Sequence, residues 1–233
     1  MISNKYVHTL IILFLAITLS SCGDSNHYLP SKSLDSLHYD VIHIDKEKKK
    51  KNYKQSYKIV VNDKDKLKVL RNDGKLISYS IKKNEIQLDD VDYIFEGLIN
   101  LPDEKLRYEK KNIVLKFPLR KGENWVTNDL TTLIMKMGYD RIFQTLLPIE
   151  IENQIISLDE DIKIDEVLLK KCVLVVGIAK TSYNPGPPLD NINITVEIKR
   201  WYAPGFGLVK MTREEHSDSE TMGSVFYEKT INF

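Results

Sequence analysis

The chain has little cysteine: two in 233 residues, Cys22 and Cys172. Two thiols allow at most one internal disulfide, so no disulfide framework can hold this fold and a hydrophobic core has to do so. Net charge is also missing. Lys and Arg number 34 and Asp and Glu 33, leaving +1. A nucleic-acid binder needs a basic excess to neutralise phosphates, so that class is excluded among the partners. No apolar run reaches the roughly 20 residues that a helix needs to cross a hydrocarbon core. Catalytic motifs are absent as well: there is no HExxH, no GxSxG and no Walker loop. Gly205-Phe206-Gly207 lacks the third glycine and the preceding context of a dinucleotide fingerprint. The sequence therefore points to no catalytic residues, no metal ligands and no cofactor, and the expected protein is not an enzyme.

What is present begins at the amino terminus. Lys5 gives a short positive head, Leu10 to Leu19 an apolar stretch, and Leu19-Ser20-Ser21-Cys22 closes it with small residues before a cysteine. These residues resemble a bacterial lipoprotein signal. An ordinary secretory signal followed by a chance cysteine is the plainer alternative. The resemblance implies that residues 1–21 are removed and that the Cys22 thiol takes a diacylglyceryl group, often with acylation of the new amino group. Several acyl chains hold a protein at a bilayer where a single chain binds only marginally. The expected location is the cell envelope, lipid-anchored at Cys22. By analogy with sorting in diderm bacteria, Gly23 favours the outer membrane, although Asp24 follows one place later. Losing Lys5 with the signal brings Lys and Arg from 34 to 33, level with Asp and Glu at 33, so the mature chain is neutral.

Residues 22–36 have the Ser, Asp, Asn, Pro and Lys composition of a flexible tether. Residues 37–233 suffice for a single sheet-rich domain, with 105–111 as the place where it would divide if it divides. Strand-like runs follow at Tyr39–Asp45, Tyr53–Val61, Lys66–Arg71, Lys75–Ile81 and Glu85–Leu88, and Asn72-Asp73-Gly74-Lys75 is the clearest hairpin turn. Asp89–Asn100 suits a short helix or a strand equally. Lys111–Leu119 reads as a strand. Asn128–Leu147 reads as a helix, with Asn128 as cap and Leu130, Leu133, Ile134 and Met137 on one face. The last third returns to strands at Ile149–Leu158, Val167–Lys180, Ile192–Tyr202, Gly207–Glu214 and Ser224–Asn232. Val173–Val176 is apolar on both sides, as if covered by that helix. The expected fold class is α+β: a mainly antiparallel, curved sheet with one or two helices packed on it.

Few residue groups offer chemistry. His38 and His43 are five apart, on opposite faces of one strand, and cannot form a local metal pair. His216, with Glu214, Glu215 and Asp218, is the one place where a base and carboxylates coincide, and a solvated turn explains it better. Asp159-Glu160-Asp161 and Asp89-Asp90-Asp92 lack the spaced ligands of a calcium loop and read as turns. Cys172 reads as core filling rather than a reactive thiol. Lys46–Lys51, including the Lys48–Lys51 run, reads as a solvated hairpin loop, with contact to anionic lipid as the alternative.

Phe117-Pro118-Leu119 with Gly122 and Trp125, and Trp201-Tyr202-Ala203-Pro204-Gly205-Phe206-Gly207-Leu208-Val209-Lys210, together resemble a group of bacterial secreted proteins and lipoproteins. The resemblance covers Lys111–Phe233 and implies an antiparallel sheet curving around an apolar interior, as in curved-sheet lipoprotein carriers. Cys172 stands near the place of that group's cysteine, without the Gly and aromatic residue that lead into it. It carries no catalytic residues to transfer. In the closing motif Pro204-Gly205 makes a turn, and Gly207 allows a bulge or close approach. Trp201, Tyr202 and Phe206 are expected to be core and corner aromatics. The expected function is a non-enzymatic binding or assembly module, tethered to the membrane through Cys22, for an envelope protein or an amphiphilic lipid ligand. The alternative is a hydrolase-like enzyme with a site near His216.

Overall fold

The computed structural model describes residues 25–93, 112–131, 135–136, 142–143, 147–184, 186, 191–220 and 222–233. A 3-10 turn at Ser25–Tyr28 precedes β1 (Ser36–Ile44), β2 (Lys50–Asn62), β3 (Lys66–Arg71), β4 (Lys75–Ile81), β5 (Glu85–Tyr93), β6 (Asn112–Lys116) and β7 (Asn124–Leu130). After them come β8 (Met135–Lys136), β9 (Ile142–Phe143), β10 (Pro148–Ile164), β11 (Val167–Tyr183), β12 (Ile192–Ala203), β13 (Gly207–Ser217) and β14 (Ser224–Asn232). One sheet of 12 strands runs in the order β6-β5-β4-β3-β2-β1-β14-β13-β12-β11-β10-β7, while β8 and β9 pair only with each other.

The strands form because apolar residues recur every second position. In β12, Ile192, Ile194, Val196 and Ile198 are buried while Asn193, Thr195 and Glu197 face outward. In β10, Ile149, Ile151 and Ile155 are buried between exposed Glu150, Glu152 and Gln154. Each such side chain contributes about 1.5–3 kcal/mol on burial. One face of the sheet is thus largely apolar, and it buries that face by curling on itself. The hairpin between β3 and β4 turns at Gly74, whose φ is 86° and whose N–H donates to the Arg71 carbonyl at 2.9 Å.

Curling brings the two end strands, β6 and β7, together. Among the described residues no backbone ladder joins them; side chains close the seam. Asn112 Nδ2 donates to the Asn128 carbonyl at 2.8 Å, and the Asn128 N–H donates to Asn112 Oδ1 at 2.9 Å. Trp125 Nε1 donates to the Ile113 carbonyl at 3.0 Å, and Lys116 pairs with Glu123 at 2.6 Å. The Tyr202 hydroxyl reaches the Val114 carbonyl at 3.4 Å from inside. The result is a nearly closed barrel.

The α+β expectation is thereby corrected: among the described residues there is no α-helix and nothing helical packs on the sheet. Within Asn128–Leu147, expected as a helix, the described residues hold the end of β7 and the paired strands β8 and β9, with Leu147 just before β10; residues 132–134, 137–141 and 144–146 lie outside the described residues. The free edge of β10 explains the difference. It pairs with β7 from Pro148↔Leu130 to Gln154↔Asn124, satisfying backbone groups that two turns of helical spacing would have had to satisfy alone. Asn128, expected as a helix cap, uses its backbone across the seam. Among the described residues no helix lies over Val173–Val176 either: Val173 and Val175 point inward and are fully buried, while Leu174 and Val176 are half-buried on the outer face. Asp89–Tyr93 continues β5, and 94–111, where a domain division was placed, lie outside the described residues. The two acidic runs read as turns lie in strands instead, Asp159–Asp161 in β10 beside register shifts and Asp89–Asp92 in β5.

Candidate functional site

The barrel interior is not filled by its own side chains. An apolar cavity of about 120 Å³ is lined by Leu37, Leu67, Val69 and Ile86, among others. A larger cavity of about 560 Å³ takes in Gln55, Arg71, Asp129, Arg200, Arg213 and Tyr227. The two share Tyr57, Tyr79, Val114, Tyr202, Leu208 and Lys229 as walls. The small cavity lies at the end of the barrel where β1 starts. There Tyr28, Leu29 and Pro30 form its floor against Phe206 and Gly207. The large cavity extends toward the opposite end, past His43 near the end of β1 and Val225 near the start of β14.

Strand register puts the inward charges in layers. Arg200 on β12 pairs with Met211 on β13, which pairs with Lys229 on β14. At about 4.8 Å between strands, the Arg200 and Lys229 backbones are about 10 Å apart. The next layer toward the β14 start carries Ile198, Arg213 and Tyr227, and the one after it Val196, Glu215 and Val225.

Arg213 is held between carboxylates: its Nη1 donates to Asp129 at 2.5 Å, its Nε to Glu215 at 2.6 Å and its Nη2 to the Leu130 carbonyl at 2.7 Å. Burial opposes its charge, but Asp129 and Glu215 outweigh burial and hold the guanidinium above its ordinary pKa. Arg71 is similarly engaged by Asp73 through Nε at 2.7 Å and Nη2 at 2.5 Å. Arg200 differs. Its Nη1 donates to Asn153 Oδ1 at 2.9 Å, and Asn153 in turn donates to Thr127 Oγ1 and the Ile151 carbonyl, each at 3.0 Å. Gly177 makes room for this group, since a Cβ there would stand 2.7 Å from Ile151 Cγ2 and 2.8 Å from Asn153 Oδ1. Lys229 Nζ lies over the rings of Tyr39 and Tyr57, at 4.9 and 5.2 Å, and donates to the Tyr57 hydroxyl at 3.5 Å. Burial pushes the phenols of Tyr39, Tyr202 and Tyr227 above their ordinary values, so all three are neutral donors at neutral pH.

The residues singled out in the sequence lie elsewhere. Cys22 lies outside the described residues. The 22–36 segment is described from Ser25, and its later part packs on the barrel. Leu29 is buried, the Ser31 N–H donates to the Gly205 carbonyl at 2.7 Å, and the Gly205 N–H donates to the His27 carbonyl at 2.8 Å. Gly205 and Gly207 both have φ of 76°, and a Cβ on Gly207 would meet Pro30 Cδ at 3.3 Å. Tyr202 is buried, Trp201 carries Lys210 over its ring at 5.8 Å, and Phe206 meets Phe233 edge-on. Cys172 is buried with its thiol pushed up to about 11 by desolvation, then by Asp161 and Glu160.

His216 is exposed on the outer face of β13 with Nδ1 2.7 Å from Ser224 Oγ, and it borders neither cavity. Glu215 next to it faces inward to Arg213, so the expected group is divided between the two faces of the strand. His38 faces outward and His43 inward. In the lysine-rich loop, Asp45 Oδ1 accepts from the Glu47 and Lys49 N–H groups, both at 2.9 Å. That loop stands at the far end of β1 from the segment that leads back to Cys22.

The luminal cations Arg200, Arg213 and Lys229 belong to no sequence motif, and Glu215 stands out in the sequence only as a neighbour of His216. Their signal is parity: Arg200 falls on the same alternate positions as Ile194, Val196, Ile198 and Tyr202, and Lys229 on those of Tyr227 and Ile231.

No protein-family model and no curated protein matches the chain. Among solved structures, a proposed lipoprotein from Parabacteroides distasonis superposes with a TM-score of 0.44 at 12% identity, covering 88% of this chain and 98% of that one. A proposed exported protein with a YmcC-like fold from Bacteroides fragilis gives 0.39 at 13% identity, over 88% of this chain and 98% of that one.

Proposed function

We propose that this protein is a cell-envelope lipoprotein, anchored through Cys22, whose barrel binds an amphiphilic ligand in its lumen without transforming it. One observation carries the reading: an apolar cavity floored by the Leu29 segment shares walls with a larger cavity bearing cations and tyrosine hydroxyls. Cavities of this size with an apolar body and a few fixed polar groups are the usual form of a small-molecule site. An amphiphile needs both halves, and a lipid anchor keeps the site close to a supply of such molecules. In a diderm bacterium, Gly23 favours the outer membrane as the place of the anchor.

The reading is tested with the delipidated protein and the neutral dye N-phenyl-1-naphthylamine. Saturable dye fluorescence is expected, and organic extraction of the protein purified from membranes should release an amphiphile detectable by mass spectrometry. Leu208→Trp, which enlarges a side chain lining both cavities, should abolish dye binding while circular dichroism keeps its β signature. A folded wild-type protein that binds no dye and releases no amphiphile would overturn the proposal.

A further inference from the structure

We propose that Arg200 and Lys229 form an anion subsite within the lumen, taking the carboxylate or phosphate head of a single-chain amphiphile whose tail lies toward Leu37, Leu67 and Val69. This rests on the lumen being an amphiphile site and specifies which end of the ligand goes where.

Four cations border the large cavity: Arg71, Arg200, Arg213 and Lys229. Arg71 has Asp73, and Arg213 has Asp129 and Glu215. Among the described residues Arg200 and Lys229 have no carboxylate partner. A cation drawn out of water gains most from an opposite charge. Their donors are also free to be used. A guanidinium has five N–H groups and an ammonium three. Arg200 donates one to Asn153, and Lys229 makes one long hydrogen bond to Tyr57. They flank Met211 in one cross-strand layer with backbones about 10 Å apart. The Arg200 head group is turned toward Asn153 on β10 and the Lys229 head group toward Tyr39 and Tyr57, so an anion shared by the two long side chains lies over the unbranched apolar side chain of Met211 and draws both from those contacts.

The carboxylates that would repel an anion, Asp129 and Glu215, lie toward the other end and are both bound to Arg213. Lys229 also borders the apolar cavity, which places the charge at the boundary between the two environments. A head group bound there leaves its chain one apolar direction to follow.

The full chain is titrated with dodecanoate, dodecyl phosphate, dodecanol and inorganic phosphate, by dye displacement and by calorimetry. The anionic amphiphiles are expected to bind at least about tenfold more tightly than dodecanol, the order of a charge-assisted hydrogen bond. Arg200→Gln and Lys229→Gln should each weaken both anionic ligands about tenfold and leave dodecanol unchanged. The dodecanol affinity doubles as the check that the lumen is intact. Lys229→Arg should retain binding; a loss equal to that of Lys229→Gln would show that shape rather than charge is read. Equal binding of dodecanol and dodecanoate, unaffected by the variants, overturns the anion subsite and leaves the lumen reading standing. No binding by any ligand with a chain overturns both. Inorganic phosphate binding as tightly as dodecyl phosphate would make a free anion the ligand and overturn the placement of the tail.

Discussion

Gly177 is a small residue in the middle of a long strand because of what lies across from it. Ile151 and Asn153 on β10 leave no space for a Cβ, and Asn153 needs its place to hold Arg200. Gly177→Ala forces both neighbours to move, so a loss of about 1–3 kcal/mol is expected in urea unfolding. The contrast with Gly122 is instructive. It has positive φ and open space around it, so its requirement is backbone conformation alone. Single residues of this kind are only partly legible in a sequence. A glycine between Val176 and Ile178 reads as a weak point in a strand until the facing side chains are known. Charges are more legible than they look: Arg200 and Lys229 stand on the buried parity of their strands, and a parity count would have separated them from the many solvated lysines.

At the level of elements, β6 and β7 are held by side chains where every other neighbouring pair in the large sheet has a backbone ladder. Asn112 bonds both backbone groups of Asn128, so Asn112→Ala removes two hydrogen bonds from the seam. The expected cost is about 1–3 kcal/mol. Hydrogen exchange should be faster in β6 and β7 than in the β10–β11 ladder, and faster still in the variant. Most strands were legible because their alternation is local: β3 and β4 lie where the turn at Asp73-Gly74 and the flanking apolar residues put them. The helix expected over Asn128–Leu147 failed for the opposite reason. Its spacing is local, but its fate is decided by the edge of β10, which is a property of the assembled sheet. The same holds for the seam, since nothing near Asn112 announces Asn128 as its partner.

For the molecule as a whole, the expectation easiest to check is the anchor: labelling with a clickable fatty acid should be lost in Cys22→Ser, and label persisting in that variant would defeat the lipoprotein reading. The lumen itself was out of reach of sequence reasoning, because a cavity is space between strands far apart in the chain. Those strands are ordered in an unusual way. The first and last strands, β1 and β14, pair in the middle of the sheet, from His38↔Asn232 to Ile44↔Phe226, while its edges come from mid-chain. A chain made from its amino terminus can pair β1 through β6 as one half-sheet, and later β7 with β10 through β13 as another. β14 pairs with β1 on one side and β13 on the other, so the backbone ladder between the halves waits for a strand made after both. The lumen of the barrel therefore closes only once β14 has been made, and until then both halves present open strand edges that are exposed to wrong partners.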